Sequence, residues 1–193
     1  MTRLACAENE NWSNNATGVL ARLFMVLLSG TQAPLDLRLP LLRQMARGEE
    51  IDVRRIAIVA LNSSLTTDNF TGMSGPEYQG SSGPLPEFRP KTWKEVFDYW
   101  RMCLEELARL AKEPDEIGER AATTVAAHIR GLVQHGRLDD VEWVIGVVMS
   151  DLRARGSVWA QAVDAVKDVL KYDLDRAPPG TETRVRSWLN TLA

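Results

Sequence analysis

The fold is decided by a seven-residue stretch in the first half of the chain, which reads RIAIVAL over Arg55–Leu61. A second stretch, RAATTVA over Arg120–Ala126, has the same arrangement of an arginine followed by small and apolar residues. Each follows an acidic first turn, as expected at the start of the second helix of a helical hairpin. Two such starts in one chain indicate stacked hairpins rather than one isolated pair of helices.

Apolar residues around the first stretch recur at the spacing of one buried helix face. The predicted helix Glu50–Ser64 has them at positions i, i+3, i+4, i+7 and i+8. That stripe consists of Val53, Ile56, Ala57, Ala60 and Leu61. The preceding segment Leu35–Arg47 predicts another helix, with Pro40 near its first turn and Gly48 as its stop. These two helices form the first predicted hairpin.

The second predicted hairpin begins with a capping box, Thr92–Glu95, whose hydroxyl and carboxylate can each satisfy a free backbone donor of the first turn. A helix with a buried stripe runs from there to Ala111. Pro114 separates it from a second helix, which Asp115 opens and Gly136 closes.

A third predicted hairpin follows the second. Asp139 and Glu142 form a further cap signature, which opens a helix that reaches Leu152. Another helix, from Trp159 to Leu170, has its apolar residues at helical spacing. We expect these two helices to pack side by side.

The beginning of the chain differs from the hairpins in composition. Residues 1–13 are polar and predict a flexible N-terminal segment. Asn14 or Asn15 then caps a nearly all-apolar helix that runs to about Ser29. A chain of 193 residues fits one domain better than two, so residues 14–193 are predicted to form a single helical-repeat domain.

One internal segment breaks the helical rhythm. Residues 66–91 alternate Gly and Pro without a period and predict a long irregular insertion loop. A loop of this length is typical of a functional or a disordered segment, and its candidate anchors are Phe70, Met73, Tyr78, Leu85 and Phe88. The last predicted element is a short helix capped by Thr181 or Thr183.

The sequence LLRQMA over Leu41–Ala46, followed by DVRRIA over Asp52–Ala57 and then by Ala60-Leu61, resembles a HEAT repeat. Residues 104–133 and 138–171 resemble it more weakly. The resemblance implies an all-α fold of stacked antiparallel helical hairpins, a HEAT- or armadillo-like α-solenoid. It also implies that the acidic and arginine residues at the start of each second helix are structural.

A second similarity concerns ENENWSNNATG over Glu8–Gly18 and PEYQG over Pro76–Gly80. These runs are similar to segments in helical-repeat regions of large bacterial multidomain ATPases that act in signal transduction or defence. The similarity implies that the chain is a detached sensor portion of such a protein. The sequence contains no Gly-x-x-x-x-Gly-Lys-Ser/Thr loop, so the chain is not itself the motor.

Composition restricts the classes of partner. The 193 residues include 23 basic and 26 acidic side chains, a net charge of −3, which provides no global field for a phosphate backbone and disfavours nucleic acid. Only Cys6 and Cys103 are present, without close pairing, so we expect a reducing, cytoplasmic location. The apolar run Val19–Leu28 contains Arg22 and is half of the roughly 20 residues that cross a bilayer, so no membrane is expected.

Candidate chemistry is sparse. His128 and His135 share a helix face, and Asp139 and Asp140 follow the next turn, which together would offer a metal site. We disfavour this site because His128 lies on the apolar stripe and His135 lies where a basic group meets the carbonyl end of its helix. The paired acids of the chain are accompanied by Lys or Arg three or four residues on, as on solvated helix faces. We therefore predict no catalytic residue, no metal and no cofactor.

These observations predict a non-enzymatic protein–protein interaction or sensor scaffold whose partner is another protein or domain. Arginine and aromatic side chains are the usual anchors of such interfaces. The predicted contact residues are Arg54, Arg120, Arg130, Tyr78 and Phe88.

The alternative is a HEAT-like nucleic-acid-binding protein or DNA-repair glycosylase. Such a protein requires a continuous positive groove with a buried acid beside an aromatic side chain. At a net charge of −3 the chain would have to concentrate its positive charge on one face.

Overall fold

The computed structural model describes residues 1–8, 15–68 and 87–192, and over these ranges the protein is all-α with nine α-helices and no strand. A π-helical segment, Val169–Asp173, and a 3-10 turn, Leu174–Arg176, follow the eighth helix. The helices are α1 Thr2–Cys6, α2 Ala16–Arg22, α3 Leu35–Arg47, α4 Ile51–Ser64, α5 Trp93–Leu110, α6 Glu116–Gln134, α7 Leu138–Ala154, α8 Ala160–Asp168 and α9 Thr181–Leu192.

Several helices begin where their cap residues predict. Asp115 caps α6, because its Oδ1 accepts hydrogen bonds from the backbone N–H groups of Ile117 at 3.0 Å and Gly118 at 3.2 Å. At the start of α5 the Thr92 hydroxyl accepts from the Glu95 N–H at 3.3 Å, as a capping box requires. The predicted helix Leu35–Arg47 is confirmed as α3 with the same bounds.

The predicted first helix is wrong at its C-terminal end. Asn15 caps α2 as predicted, but the helix ends at Arg22 rather than near Ser29. The reason is competition from distant donors. The Arg38 guanidinium donates to the Met25 carbonyl at 2.6 Å and the Tyr99 hydroxyl donates to the Phe24 carbonyl at 3.0 Å, so side chains satisfy carbonyls that a longer helix would have used.

The third predicted cap is also wrong. Residue Arg137, not an acid, occupies the N-cap position of α7, and its side chain makes no capping hydrogen bond. Asp139 instead lies inside the first turn of the helix. There its carboxylate pairs with an arginine of α9, Arg184, at 2.8 Å.

The chain divides into two compact units, Met1–Cys103 and Leu104–Ala193, and the boundary falls within α5. In the first unit α1 packs against α2 and α4, and α4 also packs against α2 and α3. The pairing of α3 with α4 confirms the first predicted hairpin.

In the second unit α6 packs against α7 and α8, and α9 also packs against α7 and α8. The prediction that the helices of residues 138–152 and 159–170 form a hairpin is therefore wrong. The helices α7 and α8 each pack against α6 and α9 and make little contact with each other. An apolar stripe shows which face of a helix is buried, but it does not identify the helix that covers that face.

Some predictions concern residues beyond this description. Of the predicted insertion loop 66–91, residues 69–86 lie outside the described part, and Tyr78 is among them. Flexibility over residues 1–13 and a single domain over 14–193 stay predictions. No helix in the ranges given above combines the length and hydropathy needed to span a bilayer.

Candidate interaction surface

A shallow depression with a volume of about 650 Å³ lies on the second unit, along the exposed side of α7. Six of its eight lining residues belong to α7, and they repeat at the three- and four-residue spacing of one helix face. The α7 helix therefore forms its floor. The lining residues are Lys112, Asp139, Glu142, Trp143, Gly146, Val147, Ser150 and Arg184.

Packing on the opposite side of α7 holds this floor in place. Its buried residues are Leu138, Asp140, Val141, Val144, Ile145, Val148 and Met149. The C-terminal end of α7 is also fixed by hydrogen bonds, because Arg153 donates to the Thr191 carbonyl at 2.6 Å and Arg155 donates to the carbonyls of Ala111 at 3.0 Å and Glu113 at 2.9 Å. A surface on a helix fixed in this way is preorganised for binding.

Arg184 of α9 lines one end of the depression and binds two carboxylates of α7. Its Nη2 lies 2.8 Å from Asp139 Oδ1, and its Nε donates to Glu142 Oε2 at 3.0 Å. The hydrogen bonds to Glu142 and then to Asp139 raise the pKa of Arg184 above its usual value. One positive charge against two negative charges leaves this end of the depression acidic.

The opposite end of the depression is basic. Arg155 is the C-cap residue of α7, and its hydrogen bonds to the carbonyls of Ala111 and Glu113 place the turn after α5 beside that end of the helix. Lys112 stands between these two residues and is exposed. The depression therefore has an acidic end near the start of α7 and a basic end near its close.

The middle of the depression is formed by apolar and small side chains. Trp143 and Val147 are half-buried and lie one helical turn apart, and Gly146 and Ser150 lie beside them with the same spacing. A Cβ atom added to Gly146 would meet no heavy atom within 4 Å. Packing within the described chain therefore does not require a glycine here, although glycine destabilises a helix interior by about 0.5–1 kcal/mol relative to alanine.

Two of the sequence-predicted contact residues, Arg120 and Arg130, lie on α6, but the helix does not bring them together. Ten residues separate them, which corresponds to about 15 Å along the helix axis. Arg120 Nε pairs with Glu116 at 2.6 Å on the helix surface. Arg130 makes a two-pronged contact with Asp173, from Nε at 2.7 Å and from Nη2 at 3.1 Å.

The Arg130 contact is a structural one. Asp173 is buried, and Gln134 donates a further hydrogen bond to it at 2.8 Å. The hydrogen bonds from Arg130 lower the pKa of Asp173 below its usual range. Because Asp173 ends the π-helical segment after α8, Arg130 fixes that segment against α6.

The remaining predicted contact residues belong to the first unit, apart from Tyr78, which is not described. Arg54 Nε donates to the Ala46 carbonyl of α3 at 3.3 Å. The Phe88 N–H donates to the Thr31 carbonyl at 2.9 Å, and the Arg38 guanidinium lies 5.5 Å from the centre of the Phe88 ring. These contacts fix loops and helix ends within that unit.

The residues that line the depression were not predicted as a site from the sequence. The signal that could have found them is Gly146, a glycine inside a run with strong helical periodicity and no turn nearby.

The structure also shows the surroundings of one candidate metal ligand, His135. His135 Nδ1 lies 2.9 Å from the Gly131 carbonyl, and the parts of the chain that the structure describes contain no group of three or more potential metal ligands.

Comparison with known proteins adds no relative: no protein-family model matches this sequence, and neither a curated protein nor a solved structure matches it.

Proposed function

We propose that this protein is a non-enzymatic interaction scaffold that binds another protein through the depression on α7. The observation that carries the proposal is Gly146, where the chain accepts a helix-destabilising residue and leaves the space above it open. Local rules of helix stability are broken most often at functional sites. A glycine that serves no contact inside the described chain fits a surface that another molecule approaches closely.

The composition of the depression supports the same function. An aromatic side chain, Trp143, lies beside aliphatic and small residues in the middle, and charged residues stand at the two ends. A hydrophobic centre with a polar rim is the usual anatomy of a protein–protein interface.

The packing of helices supports an α-solenoid whose hairpins in the second unit, α6 with α7 and α8 with α9, differ from those predicted from the sequence. The pairs α3/α4 and α6/α7 are each joined by three residues, 48–50 and 135–137. In the second unit like members of successive pairs approach each other, because α6 packs on α8 and α7 packs on α9. Stacked hairpins of this kind present helix faces such as that of α7 to a partner. Origin as a detached portion of a larger signalling or defence ATPase stays a prediction.

The nucleic-acid alternative receives no support from the predicted arginines. Arg120 and Arg130 are engaged with carboxylates of their own unit, and Arg54 binds a backbone carbonyl. Cations committed in this way contribute less to a phosphate-binding groove than unpaired ones.

The test is capture of a partner from host lysate by the immobilised full chain and by two variants. Gly146→Leu places a branched side chain in the middle of the depression, and because its Cβ meets open space the fold should be retained. The control is Ala127→Leu, which adds bulk at an exposed position in the middle of α6. We expect a protein that is captured by the wild type and by the control but not by Gly146→Leu. Equal capture by all three chains would refute the assignment of the surface.

A further inference from the structure

We propose that the depression on α7 receives one amphipathic α-helix of a partner protein, with a basic side chain toward Asp139 and Glu142 and an acidic side chain toward Lys112. This inference rests on the proposed function and names the kind of partner that the surface fits.

The form of the depression favours a helix over other peptide conformations. An extended peptide usually binds by adding a strand to a sheet edge, and the structure has no strand in the ranges it describes. A polyproline helix is usually held in a groove lined by several aromatic rings, whereas Trp143 is the only aromatic residue among the described residues that line the depression. A helix satisfies its own backbone hydrogen bonds and needs only packing from the surface that receives it.

The dimensions of the floor agree with a helix of about three turns. The lining of α7 runs from Asp139 to Ser150, which lie eleven positions apart and therefore about 16 Å apart along the helix axis. Gly146 and Ser150 are small and one turn apart, so the backbone of a second helix can come close at that point. Trp143 and Val147 stand alongside and supply the apolar contact that excludes water from the crossing.

The charges decide how the partner helix lies along α7. Arg184 leaves a net negative charge beside Asp139, whose side chain is 90% exposed, and this end attracts a cation. Lys112 at the other end attracts an anion. Since the two ends are about 16 Å apart, the partner helix should carry its opposite charges about ten residues apart on the face that meets α7.

The experiment selects ligands without assuming a sequence. A phage-displayed library of random peptides, each about 16 residues long, is selected on the immobilised full chain and counter-selected on Gly146→Leu. The expected enriched peptides lack proline, carry apolar residues at i, i+3, i+4 and i+7, and have basic and acidic residues near opposite ends. One enriched peptide is then synthesised and its helix content on binding is measured by circular dichroism.

A charge exchange tests the orientation. Lys112→Glu should weaken binding of the synthesised peptide about fivefold, and replacing the acidic residue of the peptide by lysine should restore it. Lys167→Glu, at an exposed position of α8 outside the depression, is the matched control and should leave the affinity unchanged.

The outcomes separate this inference from the proposed function. Enriched peptides that bind only the wild type but are extended, proline-rich or unaffected by Lys112→Glu would overturn the helical partner and leave the binding surface in place. A selection that enriches no peptide with a preference for the wild type over Gly146→Leu would also overturn the inference. The lysate capture then decides independently whether the surface binds a protein at all.

Discussion

Two glycines inside helices of the second unit lead to opposite expectations for the same substitution. Gly146 lies in the middle of α7, and Gly118 lies in the first turn of α6. A Cβ atom on Gly146 meets no heavy atom within 4 Å, whereas a Cβ atom on Gly118 would lie 1.9 Å from the Glu113 carbonyl oxygen. We therefore expect alanine to stabilise the protein at the first position and to destabilise it at the second.

The gain at Gly146 comes from the unfolded state. Alanine has fewer backbone conformations to lose on folding than glycine has, and it makes no new clash at this position. The free energy of unfolding should rise by about 0.5–1 kcal/mol. For a chain of this size the midpoint of thermal unfolding rises by about 2–4 °C for each kcal/mol.

The loss at Gly118 comes from the folded state. The distance of 1.9 Å is 1.5 Å shorter than the 3.4 Å at which ordinary contacts begin, and the obstructing atom belongs to the backbone. The turn that ends at Asp115 would have to move, which would also disturb the capping hydrogen bond from the Gly118 N–H to the Asp115 carboxylate. Overpacking of this kind typically costs about 1–3 kcal/mol, more than the gain in helix propensity.

Urea unfolding followed by far-ultraviolet circular dichroism compares the wild type with both alanine variants. The midpoint for Gly146→Ala should lie above that of the wild type and the midpoint for Gly118→Ala below it. A lower midpoint for Gly146→Ala would refute the reasoning, because it would show that part of the chain already occupies the space above Gly146. The interaction surface would then have lost its main support.

Three further predictions concern residues outside the depression. Trp100 is 1% exposed, so Trp100→Ala should lower the free energy of unfolding by about 3–5 kcal/mol; an unchanged melting transition would contradict its burial. Asp115→Ala removes the α6 cap and should lower the free energy of unfolding by about 1 kcal/mol in urea titrations. An effect near zero would show that the cap does not stabilise the helix. The Arg130 hydrogen bonds lower the pKa of Asp173, so its contribution to stability is present above about pH 4 and is lost as pH falls through the folded-state pKa. Asp173→Asn should therefore be less stable at neutral pH and should show a flatter loss of thermal stability between pH 5 and about pH 2; parallel curves would count against this pairing.

Much of the helical structure could be predicted because its determinants are local. Asp115 and Thr92 make their capping contacts with residues two or three positions away, and the apolar spacing along α4 lies within a single helix. Signals of this kind are complete within a short window of sequence. They therefore indicate a helix without reference to the rest of the chain.

The early end of α2 could not be predicted in the same way. The donors that satisfy Phe24 and Met25 belong to Tyr99, 75 residues away, and to Arg38, 13 residues away. Nothing in the apolar run itself indicates that its carbonyls will be used by distant side chains. Pairing between helices is non-local for the same reason, which explains why the partners of α7 and α8 were misassigned.

The predicted contact with a partner through Arg54, Arg120, Arg130, Tyr78 and Phe88 stays a prediction, because residue type does not show how a side chain is used in the folded chain. Arginine side chains anchor interfaces, but the guanidinium donors also make contacts within the chain, as those of Arg130 do with Asp173. Residue type alone cannot separate these roles. The number of donors that remain after internal contacts are made is a property of the folded chain.

A better guide to a binding surface in a helical protein is a locally unfavourable residue that no internal contact explains. Both Gly118 and Gly146 interrupt predicted helices, and the sequence treats them alike. The structure separates them, because the Glu113 backbone leaves no room for a side chain at Gly118 while the surroundings of Gly146 are open. The first glycine is needed by the fold. The second, Gly146, weakens a helix without compensation from an internal contact. We therefore expect the benefit of glycine at this position to arise when a partner is bound. The open surface above α7, acidic at one end and basic at the other, is where that benefit should be sought.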